Sequence, residues 1–229
     1  MPRHPILVFD VNETLLNLDH LCPVFERIFG DRAVMREWFA QLILYSQTVT
    51  ITGLQSDFGA LAVGVLRMIG EIREVAVTDE NADMLRNAIA TMPAHPDAAG
   101  ALQHLHQQGF RMVTLTNSPP SDGPSALNRA GLAKYFEASF SVQPTGRFKP
   151  APQTYQHVAD TLSVRPSDLC LVACHVWDTI GMQAMGGSGA LVTHGANAPL
   201  TLPGIPQPDL VAPDLASLAQ DITRRWSEP

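Results

Sequence analysis

Four consecutive apolar residues, Ile6-Leu7-Val8-Phe9, run directly into an acidic one, Asp10. A continuous apolar run, unlike an alternating one, suits a strand covered on both faces, the condition of a central strand in a parallel sheet. Parallel strands need crossover connections of a dozen or more residues. The opening of the chain therefore predicts an α/β architecture. It also predicts a carboxylate at the carboxyl end of the first strand, the edge where open parallel sheets bind ligands.

Beyond the first strand the hydrophobic period changes. From about Asn17 to Met92 the apolar residues fall at helical spacing: Leu21, Val24, Phe25, Ile28 and Phe29, then Val34, Met35, Trp38, Leu42 and Ile43. After the Thr52-Gly53 break come Leu61, Val65, Met68 and Ile72, and Thr78 or Asp79 is placed to cap a helix carrying Met84, Leu85, Ala88 and Ile89. From Pro93 strand and helix alternate. Asp97 is expected to cap a helix that stops at Gly109, and Phe110–Thr116 reads as a strand followed by a helix to about Gly131. Strands are expected at 138–142, 169–174, 189–193 and near Leu210, and helices at 152–163, 176–185 and from about Asp214. The expectation is a doubly wound parallel, Rossmann-like sheet formed by residues 1–16 and 93–229, with a helical cap, 17–92, inserted after the first strand.

Composition narrows the setting. The 229 residues are 45% hydrophobic, enough for a packed core, and the net charge of −7 comes with no basic block. That balance argues against a nucleic-acid or anionic-membrane partner. No apolar stretch approaches the roughly 20 residues that cross a bilayer, and the start reads as a strand and not as a signal peptide. Three cysteines make a poor disulfide framework, so reduced thiols and a cytoplasmic location are expected.

Polar residues gather at four predicted strand ends. The first delivers Asp10, Val11, Asn12, Glu13 and Thr14; the second Thr116, Asn117 and Ser118; the third Gly146 to Pro150, including Lys149; the fourth Ala173-Cys174-His175-Val176-Trp177-Asp178. Asp-x-x-x-Thr after an apolar strand, Thr-Asn at a second strand end, a later Lys-Pro and a final acid together resemble the four motifs of the haloacid dehalogenase superfamily. The resemblance spans nearly the whole chain. Within the superfamily it is strongest to the L-2-haloacid dehalogenases, whose Lys-Pro followed by Tyr is matched by Lys149, Pro150 and Tyr155, and whose Ala-Trp-Asp is approximated by Val176-Trp177-Asp178.

The resemblance implies roles. Asp10 matches the nucleophile, with Thr14, Lys149 and Thr116 supporting its charge by hydrogen bonding. Asp178 matches the acid that helps activate water against the ester, and the water is expected near Asp178 or His175. Asn117 matches a contact to the leaving group, while Tyr155 and Trp177 are candidate pocket aromatics. The substrate is expected to be a small carboxylate, held by Thr116 and backbone amides. Phosphatases of the superfamily carry a second Asp where this chain has Asn12, and Asn is no proton donor of comparable acidity. Magnesium sites want several oxygen ligands, yet Ala173, Cys174 and His175 stand where a further acid is expected. No metal and no cofactor are therefore expected, and displacement at carbon is preferred to phosphoryl transfer.

Three departures from the dehalogenase pattern remain. Phe39 stands where the cap arginine that draws off halide is usual, with Arg36 about one turn earlier; Asn12 replaces an aromatic; and Ala173-Cys174-His175 replaces Ser-Ser-Asn. Asn12 and His175 suit a nitrogen or oxygen leaving group, which admits a strained cyclic imino acid such as L-azetidine-2-carboxylate, a substrate known in the same subgroup. His175 has the alternative role of positioning Asp178. A phosphatase and a catalytically silent binding protein of the same fold are the other functional alternatives, and a homodimer is an expectation by resemblance. Cys170 and Cys174 read as buried thiols, since tetrahedral metal spacing is missing. Gly186-Gly187-Ser188-Gly189 reads as a helix stop and not a phosphate loop.

Overall fold

The computed structural model describes residues 4–120 and 123–227. Its centre is a sheet of six strands in the order β3-β2-β1-β4-β5-β6. They are β1 (Ile6–Phe9), β2 (Met112–Thr116), β3 (Ala138–Ser141), β4 (Leu169–Ala173), β5 (Ser188–Val192) and β6 (Leu210–Ala212). Every pairing is parallel. The first strand lies between β2 and β4, and Leu7 and Val8 have no exposed surface. An uninterrupted apolar strand occupies the centre because only there are both of its faces covered. The topology reverses beside β1, so the carboxyl ends of β1, β2 and β4 open on one crevice.

The chain after β1 first forms the helices α1 (Cys22–Phe29), α2 (Val34–Ile51), α3 (Phe58–Ile72) and α4 (Asp79–Ala90). Their starts reflect the local chemistry. Asp57 accepts a hydrogen bond from the Ala60 amide to cap α3, and Thr78 with Asn81 closes a reciprocal capping box at α4. The fully buried Trp38 of α2 donates its indole N–H to the Ala62 carbonyl of α3 at 2.9 Å. The two lengths of chain that enter and leave this segment run side by side. The Asn17 amide donates to the Pro93 carbonyl at 2.8 Å and the His95 amide to the Leu15 carbonyl at 2.9 Å.

The remaining helices cover the sheet: α5 (Ala98–Gln107), α6 (Ala126–Arg129), α7 (Pro152–Leu162), α8 (Val176–Ala184) and α9 (Leu215–Ser227). Two expectations need correction. The chain after β2 does not enter a long helix; of residues 123–131, only the single turn Ala126–Arg129 is helical, entered through a Ser125/Asn128 capping box. Asp97 makes no cap on its own helix. Its Oδ2 instead accepts from the amides of Leu215 and Ala216, and with Asp214 it caps α9. A cap suggested by the local sequence serves a helix far along the chain. Among the described residues no helix is long and apolar enough to cross a membrane. Gly186, at φ +86°, ends α8 as a left-handed stop before β5.

Gly181 shows how tightly α8 seats on the site below it. A Cβ at this position would lie 2.5 Å from the Tyr155 hydroxyl and 2.7 Å from the Pro150 Cβ. Gly181→Ala is expected to destabilise the fold by about 1–3 kcal/mol through overpacking and to shift Tyr155. Urea unfolding of the two proteins checks the energy, and an unchanged midpoint would mean that α8 has room to move.

Candidate active site

The carboxyl end of β1 fixes Asp10, whose amide donates to the Val172 carbonyl of β4 at 3.0 Å. Its carboxylate is almost wholly buried. Oδ2 accepts from the Thr14 hydroxyl at 2.6 Å and Oδ1 from the Lys149 ammonium at 2.7 Å. Thr14 also accepts from the Cys174 amide at 3.0 Å, so one hydroxyl joins the ends of β1 and β4. Lys149 uses all three of its N–H groups: on Asp10, on Asp178 Oδ2 at 2.6 Å, and on the Leu115 carbonyl at 3.1 Å. Burial alone would push the Asp10 carboxyl up, but Lys149 and His175 outweigh it and hold the group well below the usual carboxylate range. Asp10 and Asp178 raise the Lys149 ammonium against the opposing effect of burial.

The structure assembles the residues expected from sequence but redistributes their tasks. Asp178 has no exposed surface. Its Oδ1 accepts from the Tyr155 hydroxyl at 2.5 Å while Oδ2 is held by Lys149, and burial raises its pKa. Both oxygens are occupied, so the residue expected to meet water faces Lys149 instead. Tyr155, expected to touch substrate, is fully buried behind Asp178 and positions it. Thr116, expected to support Asp10, accepts from the Ser118 amide at 3.1 Å. The Asn117 side-chain carbonyl accepts from the Lys149 amide at 3.0 Å and so holds the lysine loop.

His175 sits between two aromatic rings, Phe39 at 5.3 Å and Trp177 at 5.2 Å between centroids. Its Nε2 lies 2.8 Å from Glu13 Oε2, and its Nδ1 lies 3.6 Å from Asp10 Oδ2. Glu13 is visible in the sequence only as one more polar residue after β1. In the fold it is buried, pairs with Arg36 and accepts from the Asn197 amide group at 3.2 Å. Its backbone has φ +70°, a left-handed conformation uncommon for a residue with a side chain. Two histidines hold it there: His95 Nε2 and His194 Nε2 meet its carbonyl at 2.9 and 2.7 Å. Nothing in the local sequence signals this arrangement, because its partners come from residues 36, 95, 175, 194 and 197.

Two cavities flank Asn12, whose amide donates to the Ser118 hydroxyl at 3.2 Å. One, of about 140 Å³, is mostly apolar and lies between the inserted helices and the sheet, lined by Trp38, Phe39, Leu42 and Phe58 with Asn12 and Ser118. The other, of about 350 Å³, is rich in hydroxyls, including Thr114, Thr116 and Ser118. Asp10, Cys174 and His175 are the residues that come nearest to a metal centre among those described, with ligand atoms within 4.8 Å of one another. A buried thiol whose pKa is raised, an imidazole and an adjacent ammonium do not suit Mg²⁺, which takes oxygen ligands. The three cysteines are free and buried.

The family pattern of the haloacid dehalogenase-like hydrolases matches residues 5–186. The chain is 30% identical over 181 residues to (S)-2-haloacid dehalogenase 1 of Pseudomonas sp. (strain CBS-3), covering 78% of this chain and 80% of that protein. It is 27% identical over 196 residues to (S)-2-haloacid dehalogenase 4A of Burkholderia cepacia, covering 84% of each. The solved L-2-haloacid dehalogenase of Xanthobacter autotrophicus with chloropropionic acid covalently bound superposes with a TM-score of 0.84 at 25% identity, over 97% of this chain and 98% of that one.

Removing the central cation should be costly. Lys149→Met leaves Asp10 and Asp178 without the ammonium between them, and a loss of about 3–5 kcal/mol is expected in urea unfolding at neutral pH. A loss under about 1 kcal/mol would mean that water reaches the pair. Glu13 supplies a separate acid-sensitive contribution. Burial would raise its carboxyl, but His175 and Arg36 lower it from 4.5 to about 2. A depressed folded-state pKa stabilises fully above the unfolded value, and that contribution disappears as pH falls through about 2. Thermal melts between about pH 5 and 2 are therefore expected to fall more steeply for the wild type than for Glu13→Gln; parallel curves would refute the assignment.

Proposed function

The chain belongs to the haloacid dehalogenase-like hydrolases, and from that premise we propose that it hydrolyses small (S)-2-haloalkanoates through an ester on Asp10. One observation carries this reading: an ionised, desolvated carboxylate, fixed by Lys149 and Thr14, stands two residues before Asn12, which with Ser118 forms the polar wall of a small, mostly apolar cavity. An oxygen of Asp10 attacks C2 from the face opposite the halogen. The carbon–halogen bond breaks with its electron pair on the halide, and an aspartyl ester remains. Water then adds to the Asp10 carbonyl carbon. The ester bond from that carbon to oxygen breaks, and the product is a 2-hydroxy acid of inverted configuration. Splitting the displacement in two lets a carboxylate do what water at neutral pH does poorly. The substrate carboxylate is placed against the hydroxyls of Thr116 and Ser118, and the cavity's size limits the chain beyond C2 to a few carbons.

A second leaving group is favoured by a specific feature. Arg36, the nearest candidate to draw off halide, is paired with Glu13 and with Asp19 at 2.7 Å. Phe39 lines the cavity in its stead. A ring nitrogen under strain, as in L-azetidine-2-carboxylate, needs no halide cradle and yields 4-amino-2-hydroxybutyrate by the same two steps.

Purified protein assayed in parallel on L-2-chloropropionate and L-azetidine-2-carboxylate tests both. Halide release supports the first reading and ring opening without halide release the second. In heavy-oxygen water a single turnover is expected to label Asp10 and leave the product unlabelled, because the product's new oxygen comes from the carboxylate. Label appearing directly in product would overturn the ester, and Mg²⁺-dependent phosphate release with no action on either substrate would overturn displacement at carbon.

A further inference from the structure

The loop that carries Lys149 is held by side chains from two directions. The Lys149 amide donates to Asn117 Oδ1, just beyond β2, at 3.0 Å. One residue earlier, the Phe148 amide donates to the Thr50 hydroxyl oxygen of α2 at 2.9 Å. The Phe148 carbonyl, between these two amides, accepts from the Ala151 amide at 3.0 Å. Three successive backbone groups are thereby fixed, one of them by a residue 98 positions earlier in the chain. We propose that Thr50 is a positioning residue for Lys149, tying the placement of the buried ammonium to the seating of α2 and α3 against the lysine loop; its effect on turnover rests on the ester chemistry proposed above.

The neighbouring threonines set Thr50 apart. Thr48 donates back to the Leu44 carbonyl at 2.9 Å and Thr52 to the Thr48 carbonyl at 2.8 Å, the usual resort of a threonine hydroxyl on a helix. The Thr50 hydroxyl reaches across to another segment instead. Two further residues of this region meet the same loop. The Phe58 ring, at the start of α3, packs on the Phe148 ring with centroids 5.6 Å apart, and both are buried. Gln55, between the two helices, stands so near Gly146 that a Cβ there would lie 3.1 Å from its Nε2. Gly146 also has φ +60°, so a glycine suits both the turn and the close approach. Between these points lies a cavity of about 300 Å³, lined by Gln55 and Phe58 on one side and by Asn117, Gly146 and Phe148 on the other. A void supplies no dispersion contacts. The lysine loop is therefore fastened to α2 and α3 at a few points and not by a packed interface, and each fastening counts.

These fastenings join the apolar cavity to the cation. Helix α2 supplies Trp38, Phe39 and Leu42 to the wall of that cavity, and Phe58 lines both it and the cavity beside the lysine loop. Trp38 also binds α2 to α3 through the Ala62 carbonyl. A substrate that fills the apolar cavity thus rests on the same two helices that hold Phe148. Directly after Phe148, the Lys149 ammonium reaches Asp10 at 2.7 Å and Asp178 at 2.6 Å. Hydrogen bonds of this kind weaken steeply once their geometry is lost, and a misplacement of about 1 Å at a reacting centre costs on the order of 10²-fold in rate. Loss of the Thr50 contact alone leaves Asn117 in place, so a smaller effect is expected from it.

Thr50→Val keeps the shape of the side chain and removes the acceptor. Without substrate, the nitrogen resonance of the Lys149 ammonium is expected to shift, and the Phe148 amide to exchange with solvent about tenfold faster. With L-2-chloropropionate, kcat is expected to fall about three- to tenfold with KM unchanged, the size of one net hydrogen bond. Thr50→Ser, which restores the acceptor, is expected to restore both. Thr48→Val removes a hydroxyl turned onto its own helix and is expected to change neither. An unmoved Lys149 resonance in Thr50→Val, an unchanged kcat, or a Thr50→Ser protein as slow as Thr50→Val overturns the proposal. If Thr50→Val does not fold, Phe58→Leu, which thins the contact with Phe148, gives the same readout: a shifted Lys149 resonance supports the coupling and an unshifted one overturns it. If the wild type acts on neither L-2-chloropropionate nor L-azetidine-2-carboxylate, the substrate reading fails, and the Lys149 resonance alone decides on Thr50.

Discussion

Everything at the site is arranged around one buried ammonium. Lys149 is sealed from solvent, and its three hydrogen bonds reach strand ends from three parts of the chain: Asp10 after β1, the Leu115 carbonyl in β2, and Asp178 at the start of α8. A buried lysine is tolerated only where such partners await it. Its position in turn depends on the Asn117 side chain, which grips its amide, and on Thr50 of α2, whose hydroxyl accepts from the Phe148 amide at 2.9 Å. The convergence of the sheet's carboxyl edge is thus enforced by charge as well as by topology.

One cation does not balance the carboxylates assembled there. Asp10, Asp178 and Glu13 are three acids in one buried region, and they are met by Lys149, His175 and Arg36. Each acid touches a cation and each cation touches an acid, so the region is neutral as a whole while Asp10 remains ionised. Desolvation would otherwise protonate such a carboxyl and remove its nucleophilicity. The same charge balance explains why Arg36 is not free: it compensates Glu13, which compensates His175.

The sheet and its order of elements were legible because the governing signals are local. The apolar run at 6–9 announced a central strand, and the helical period from Leu21 onward announced the helices α1 to α4. The site was legible insofar as its residues stand directly at strand ends, which is how Asp10, Thr14, Lys149, His175 and Asp178 were found together. What escaped is set by long-range pairing. Tyr155 and Trp177 have the same local character, yet one lies sealed behind Asp178 and the other stacks on His175. Asp97 looks like the cap of the helix it precedes but is drawn to the amides at the start of α9. Glu13 carries no motif at all, because its character comes from residues scattered along the chain between Arg36 and Asn197.

That dispersion bears on how specificity is encoded. In a pocket lined by Trp38, Phe39, Leu42 and Phe58, exchange of one apolar side chain changes discrimination only modestly, since a methylene is worth about 1–3 kcal/mol. A polar group that must find a partner discriminates far more strongly. Asn12, Ser118 and Thr116 are the polar groups at the cavity walls, and each already has a hydrogen bond within the protein: Asn12 to Ser118, and the Ser118 amide to Thr116. They form a connected chain in which both hydroxyls accept, that of Ser118 from the Asn12 amide group and that of Thr116 from the Ser118 amide. Discrimination at this wall therefore rests on those three polar groups, while Arg36, the cationic side chain nearest to Phe39 in sequence, is already committed to Glu13 and Asp19.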